Sequence, residues 1–434
     1  MTGHTIVIGG GLAGVGCAQG LVKAGLTVTL VDRNDYHQFQ PLLYQVATSQ
    51  LPARDVARPL KAIFASVPSV EVVVASVTGM DLAARTVTLD DGRTLTGDFV
   101  VLAAGARANF FGIPGAAEHA FPLYSVVDAE RLRIRLQDLL HATESHDAAD
   151  ALDIVVVGAG PTGVETAGAL GELLTALHLE QPGARQPRVS IVDRGDVLLP
   201  QFSKKAHRYA KKQLKKRGVE PKLGVGVTEV RPDRVQLDNG TSLPAQLVIW
   251  GGGESAASLA GAAGDQRGHG GRVDVQPDLS VEGFPGVYAV GDVANVATEE
   301  EGDLPQLGSV AQQSGTWAAG NIEREHRGEA SVPFRYKDKG IMAMIGRNAA
   351  VAEVGKHRHQ VDGPVAFAAW LGVHAVLLSG VHSKTDAFLS WAWDYFDRDH
   401  ASTLANQSQP HRIAWSDPGT YEPHIDIDSA PAGD

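Results

Sequence analysis

Residues 5–14 read TIVIGGGLAG. The apolar run Ile6, Val7, Ile8 enters Gly9-x-Gly11-x-x-Gly14, and a stretch of helical character follows. The next apolar run, LTVTLVD, closes on Asp32. Strand, glycine triplet, helix and terminal acid make the dinucleotide-binding fingerprint in the context it requires. Gly9 permits the tight turn, Gly11 lets the backbone approach a pyrophosphate, and Gly14 lets helix and strand pack closely. The helix N-terminus offers free N–H groups and a positive dipole end to phosphates. Asp32 is placed to accept hydrogen bonds from a ribose.

The signal repeats. Residues 154–163 read IVVVGAGPTG, with Gly158-x-Gly160-x-x-Gly163 between a strand and a helix. The strand VSIVD then ends at Asp193. Two copies predict two dinucleotide-binding units. The glycine-to-acid interval is longer in the second copy, with a loop inserted near residues 181–187. Glu165 lies just inside the second helix and carries two readings. Either its side chain faces whatever docks at that N-terminus, or it is a first-turn acid favoured by the helix dipole.

The chain has 434 residues, enough for two or three domains. Its net charge of −12 argues against nucleic acid and against purely electrostatic docking on an anionic membrane. Cys17 is the sole cysteine, which excludes a disulfide framework, a Cys-x-x-Cys redox centre and a thiolate metal cluster. His357 and His359 are the nearest approach to a metal-ligand pair, and no convincing metal spacing occurs. No signal peptide precedes the first strand, so a cytoplasmic location is expected.

Between the two fingerprints, residues 33–52 are too rich in aromatic, amide and apolar side chains for a plain linker. A helix is expected to start near Asp55. Short strands with an Asp91-Gly92 turn follow, then an apolar strand ending at Ala104-Gly105, and a helix is expected over 128–146. After the second fingerprint, residues 204–217 are rich in Lys and Arg, read as a solvated helix face or an anionic docking patch. LVIW ends at Gly251-Gly252-Gly253, a turn suited to close backbone approach. A strand ending in Gly291-Asp292 is read as the head of a helix, with Asp292 beside a dipole that favours anions or acting as a plain cap. Residues 365–381 are a nearly unbroken apolar run, at or just below bilayer-spanning length. Trp391, Trp393, Tyr395 and Phe396 follow closely. A membrane interface, a dimer contact and a core helix pair all fit such a region.

Two fingerprints with a late Gly-Asp strand end resemble the flavoproteins with two dinucleotide-binding domains. Several stretches narrow the resemblance: DRNDYHQFQPLLYQVAT, NFFGIPG, VVVGAGPTGVETAGAL, GRVDVQPDLSV, VYAVGDVA, KGIMAMIGR and WAWDYF. They look like type II NADH dehydrogenase, the single-subunit NADH:quinone oxidoreductases, from about residue 4 to about residue 397. The resemblance implies an α/β fold of two Rossmann-like domains, for FAD and NAD(P)H, with a C-terminal amphipathic helical region. The FAD unit is expected over 1–118 and 271–330, a connector over 119–150, the NADH unit over 151–270, and the C-terminal region over 331–434.

By position, the resemblance implies that Gly9, Gly11, Gly14 and Asp32 hold the FAD adenosine and pyrophosphate. Val77 touches the adenine side, Ala104 and Gly105 line the FAD, and Asp292 binds its ribityl chain. Gly158, Gly160, Gly163 and Asp193 hold NADH. Leu12, Ala13, Arg33, Pro161, Thr162, Gly252, Gly291, Ser309, Val310 and Ala311 complete the cofactor-binding set. Glu165 matches the glutamate at the nicotinamide face, linked to hydride or proton handling. Gln313 matches a quinone-side glutamine. Lys339 has two readings, a positive charge near the reduced flavin or a surface lysine.

Three departures from the family pattern stand out. Ser309 replaces the first glutamine of the quinone-side motif, His382-Ser383-Lys384 replaces a more basic patch, and Glu254 replaces an apolar residue. The expected activity is hydride transfer from NADH to FAD and then two electrons to a quinone, with peripheral contact on the cytoplasmic face of the membrane. A soluble NADH:acceptor flavin oxidoreductase with a non-quinone acceptor is the second reading, and a homodimer is expected if the C-terminus is not used on a membrane. From a different class, a redox-responsive binding protein would hold FAD and NAD without rapid turnover.

Overall fold

The computed structural model describes residues 3–144, 152–180, 187–257, 268–298, 302–355 and 358–377. In chain order, β1 (His4–Ile8), α1 (Leu12–Lys23) and β2 (Thr27–Asp32) build the first strand–helix–strand unit. After it come β3 (Val70–Val74), β4 (Phe99–Leu102), β5 (Ala106–Ala108), β6 (Ala120–Pro122) and α2 (Val126–Glu144). The second unit is β7 (Asp153–Val157), α3 (Pro161–Glu180) and β8 (Arg188–Asp193). Then follow α4 (Lys204–Lys216), β9 (Val219–Leu223), β10 (Leu247–Trp250), β11 (Glu254–Ala256) and β12 (Val287–Ala289). The described chain closes with α5 (Gly308–His326), β13 (Ile341–Gly346), β14 (Ala349–Val354), β15 (His359–Gly363) and α6 (Pro364–Leu377).

Two five-stranded sheets dominate, ordered β12-β4-β1-β2-β3 and β6-β10-β7-β8-β9. Every pairing in both is parallel. Parallel sheets are covered on both faces, so their strands read as unbroken apolar runs. Accordingly β4, β7 and β10 are buried at every residue. In each sheet the strand that feeds a glycine turn is central. The strand 287–289 returns late in the chain to the first sheet, while 120–122 joins the second.

Helix α1 lies along α5 at close range, and small residues permit it. A Cβ on Gly20 would sit 2.6 Å from that of Ala319, and one on Gly315 would overlap the Ala13 carbonyl. In α4 the Ser203 side chain caps the first turn, and Ala206, Ala210 and Leu214 face inward. The antiparallel sheet β13-β14-β15 supports α6. Ala366, Trp370 and His374, spaced at i, i+4 and i+8, form the buried stripe of α6.

One expected element differs. Gly291-Asp292 does not head a long helix; it forms a three-residue 3-10 turn, Gly291–Val293. Gly291 adopts φ +69°, and Ala294–Asn295 then pair with Val273–Asp274 as strand. The long helix begins only at Gly308. The aromatic segment around Trp391 to Phe396, the His382-Ser383-Lys384 motif, His357 and the loop over 181–186 lie outside the described residues.

Candidate functional site

The two glycine turns are built alike. Gly9 and Gly158 adopt φ +110° and +105°, conformations that L side chains rarely adopt. A Cβ on Gly9 would overlap the Ala103 carbonyl, and one on Gly158 the Gly251 carbonyl. One on Gly14 or Gly163 would collide with the carbonyl of Gly9 or Gly158. At Gly11 and Gly160 the same addition meets nothing within 4 Å, so both turns open onto space. The acids match as well. Asp32 accepts N–H bonds from Gly10 (2.6 Å) and Asn34 (2.7 Å), and Asp193 accepts from Ala159 (2.7 Å) and Gly195 (2.6 Å). Each carboxylate therefore ties its strand end to its glycine turn. Lone pairs remain on both oxygens, so the tie does not use up the acceptor. His37 adds a support that the sequence reading missed, a 2.8 Å bond from Nδ1 to the Gly10 carbonyl.

Around the first turn the structure gathers residues from distant segments. A Cβ on Gly291 would lie 2.9 Å from that of Ala13 and 3.5 Å from that of Ala311, and one on Gly308 would touch Leu12. The Gly291 N–H donates to the Ser314 hydroxyl (3.0 Å). Val310 and Ala311 are both buried, Ala311 against Gly291. Gly105, at φ +73°, faces the Tyr124 hydroxyl, which accepts from the Ala106 N–H (2.9 Å). Tyr124 was also missed. It lies within electrostatic range of Asp292, whose carboxyl burial pushes up to about 6.

Glu165 is the most perturbed acid near the second turn. It does not sit in the open as a first-turn helix acid would; it is buried against β13 and α6. Its Oε1 accepts the Met344 N–H at 3.0 Å. Burial pushes its carboxyl up to about 8, opposed by the Met344 amide and the Trp370 indole. Tyr44 donates to the Met344 sulfur (3.2 Å) and stands edge-on to Trp370. Trp370 stacks on His374 with centroids 3.9 Å apart, and burial pushes that imidazole down to about 4. Near neutral pH the cluster therefore holds a neutral acid and a neutral imidazole.

A family model described as pyridine nucleotide-disulphide oxidoreductase matches residues 3–315. Type II NADH:quinone oxidoreductase Ndh of Mycobacterium tuberculosis is 35% identical over 411 residues, covering 89% of this chain and 87% of that protein. The type II NADH:quinone oxidoreductase of Staphylococcus aureus is 31% identical over 381 residues, covering 83% and 90%. The chain belongs to the type II NADH:quinone oxidoreductases. The same fold appears in NDH2 from Plasmodium falciparum, solved in complex with NADH, at TM-score 0.83 and 17% identity over 92% of this chain and 99% of that one. It appears again in the sulfide:quinone oxidoreductase of Aquifex aeolicus, at TM-score 0.72 and 19% identity over 92% and 96%. The disulphide chemistry in the broader family's description has no cysteine pair to run on here. Cys17 is buried, and burial pushes its thiol up to about 12.

The remaining residues singled out in this type II oxidoreductase take varied positions. Gln313 is drawn into structure: its amide donates to the Lys337 carbonyl (3.1 Å) and accepts the Lys337 N–H (3.0 Å). One N–H and one lone pair stay available. Ser309 bonds the Tyr336 hydroxyl at 2.8 Å. Lys339 is exposed on the segment leading into β13. Val77 is half-buried at the start of the strand Val77–Asp81, two residues beyond the Ala75 N–H that bonds the Asp32 carbonyl. Arg33 and Thr162 are exposed and Pro161 half-buried at the first position of α3. Gly251 and Gly252 each have room for a Cβ at ordinary contact; the tight approach is that of Gly158 to the Gly251 carbonyl and the Gly252 Cα.

Proposed function

We propose that this chain transfers hydride from NADH to FAD and passes two electrons on to a quinone. The duplicated glycine turn, each tied by its own aspartate and open at the middle glycine, carries the reading. We assign FAD to the turn at Gly9, Gly11 and Gly14, with Asp32, Ala104, Gly105, Gly291 and Asp292 along its length. NADH goes to the turn at Gly158, Gly160 and Gly163, with Asp193 on the adenosine ribose. FAD supplies the two-electron exchange that no side chain provides. Glu165 holds a proton on its carboxyl, whose Oε1 accepts the Met344 N–H. Quinone reduction takes up protons, and a buried acid near neutrality suits their delivery. Gln313 positions the segment at Lys337 and keeps one donor for a ligand.

Helix α6 exposes Val365, Val373 and Leu377 at 69%, 41% and 43% of their surfaces. We assign this face to peripheral contact with the cytoplasmic side of a membrane, where NADH and a lipid-soluble quinone meet. A homodimer through the same face is the competing arrangement. The Ser309–Tyr336 bond supports a second reading, a non-quinone acceptor, because it occupies the hydroxyl that stands in the quinone-side motif. One assay separates the two: steady-state NADH oxidation by FAD-loaded protein with a short-chain quinone, beside ferricyanide. Brisk quinone turnover is expected. Fast ferricyanide reduction with negligible quinone reduction overturns quinone as acceptor.

A further inference from the structure

Glu254 has no task in the function just described, yet its position is unusual. It begins β11, directly after the Gly251-Gly252-Gly253 turn that closes β10 of the second sheet. Strand β11 pairs antiparallel with β5, placing Glu254 opposite Ala108 and Ala256 opposite Ala106. Strand β5 in turn leaves Gly105 at the end of β4 in the first sheet, and the Ala257 N–H bonds the Gly105 carbonyl (3.0 Å). Glu254 thus sits on the seam joining the two dinucleotide units. Its carboxylate and that of Asp292 repel each other, and both act on the Tyr124 hydroxyl beside Gly105. The residue stays exposed, while the protein packed about its carboxyl penalises the charged form. An exposed carboxyl at this seam leaves room for a planar ring system close to the charge.

We propose that Glu254 is a positioning charge that sets the reduction potential of the flavin held between Gly105 and Asp292. The inference rests on the assignment of FAD to the first turn. A hydride delivers two electrons and one proton, so an oxidised flavin that accepts it gains one net negative charge. A carboxylate facing that ring opposes the gain, because like charges repel more strongly beside protein than in open water. Protonation of Glu254 removes the opposition. Surrounding protein, with the Asp292 charge second, pushes the Glu254 carboxyl up to about 7. The switch therefore falls within the working pH range of an enzyme. The other charged groups about this seam are Asp292, Arg272 acting on it, and Arg107 on β5, with the neutral Tyr124 hydroxyl beside them. They are common to wild type and variant, so a difference between the two isolates Glu254.

The test is spectroelectrochemical titration of the FAD-loaded full chain at pH 5.5 and pH 8.5, with flavin content measured first. At pH 8.5, Glu254→Gln is expected to raise the reduced-to-oxidised ratio at fixed potential by threefold to tenfold, tenfold being about 30 mV for a two-electron couple. At pH 5.5 the variant and wild type should coincide, and Glu254→Asp should restore most of the wild-type behaviour at pH 8.5. Protein that takes up no FAD overturns the functional assignment itself. FAD-loaded Glu254→Gln with an unmoved potential at pH 8.5, or with the same shift at both pH values, overturns this proposal alone. If Glu254→Gln does not fold, Glu254→Ala takes its place at both pH values: the same rise at pH 8.5 that vanishes at pH 5.5 supports the charge, and an unmoved potential overturns it.

Discussion

Glu165 concentrates the most consequence in one side chain. Its carboxyl is raised from an ordinary 4.5 to about 8, so the folded protein holds this proton more tightly than the unfolded chain. Below pH 4.5 both states are protonated and nothing is lost. As pH climbs from about 4.5 to 8 the folded state loses stability, at up to about 1.4 kcal/mol per pH unit. Glu165→Gln removes that loss. Its melting temperature should match wild type near pH 4.5 and exceed it at pH 9, while turnover with quinone falls by about a hundredfold, the low end for loss of an acid–base group. A variant no more stable than wild type at pH 9 would place the carboxyl's titration in the ordinary range. Asp193 makes a separate test. Its negative end should repel the 2′-phosphate of NADPH, so Asp193→Asn should lower the kcat/KM preference for NADH about tenfold, about 1.4 kcal/mol. An unchanged NADH-to-NADPH ratio would move selectivity elsewhere, with the adjacent Arg194 the first residue to examine.

Among elements, α3 and β13 decide whether the Glu165 cluster assembles. Gly168 lies one turn beyond Glu165, and a Cβ there would overlap the Ile345 carbonyl. Gly168→Ala should push α3 off β13, break the Met344–Glu165 bond and cost about 1–3 kcal/mol, as overpacking does. Chemical denaturation would read that cost; a variant as stable as wild type would mean the strand yields freely. The case also marks what the sequence can carry. Helices α1 and α3 were legible because strand, glycine spacing and acid are local signals. Helix α2 and the basic α4 were legible from composition and spacing. The partner of Glu165 was not, because Met344 is 179 residues away and only the sheet brings it there. Nor was the turn at Asp292, where a single left-handed glycine stops what reads as a helix start. Gln313 fell between: its position in the helix was legible, but not the backbone of Lys337 that claims its amide.

On the scale of the whole molecule, the membrane contact proposed for α6 would have to be made by an acidic chain of net charge −12. Among the described residues no helix is long and apolar enough to cross one. Yet α6 carries no charged side chain, and a helix apolar all round is normally covered on every face. Its buried stripe is spent on Trp370 and His374, leaving Val365, Val373 and Leu377 exposed. Helix α4 offers the opposite chemistry, with Arg208, Lys211, Lys212, Lys215 and Lys216 along one shallow concavity and no ion pair to any of them among the described residues. Salt tells the two surfaces apart. Electrostatic attachment through α4 weakens sharply once the Debye length drops to about 3 Å at 1 M salt. Apolar attachment through α6 does not, and screening of the negative chain against anionic lipid strengthens it. The expected result in vesicle co-sedimentation is a bound fraction that holds or rises with salt. Val365→Glu combined with Val373→Glu should lower binding at least tenfold, since each valine contributes about 1.5 kcal/mol or more when covered, and should leave ferricyanide reduction intact. Binding that survives both substitutions but is stripped by 1 M salt would hand the membrane contact to α4. Loss of a dimer in the double variant, with vesicle binding unchanged, would make the α6 face a contact between two copies of the chain.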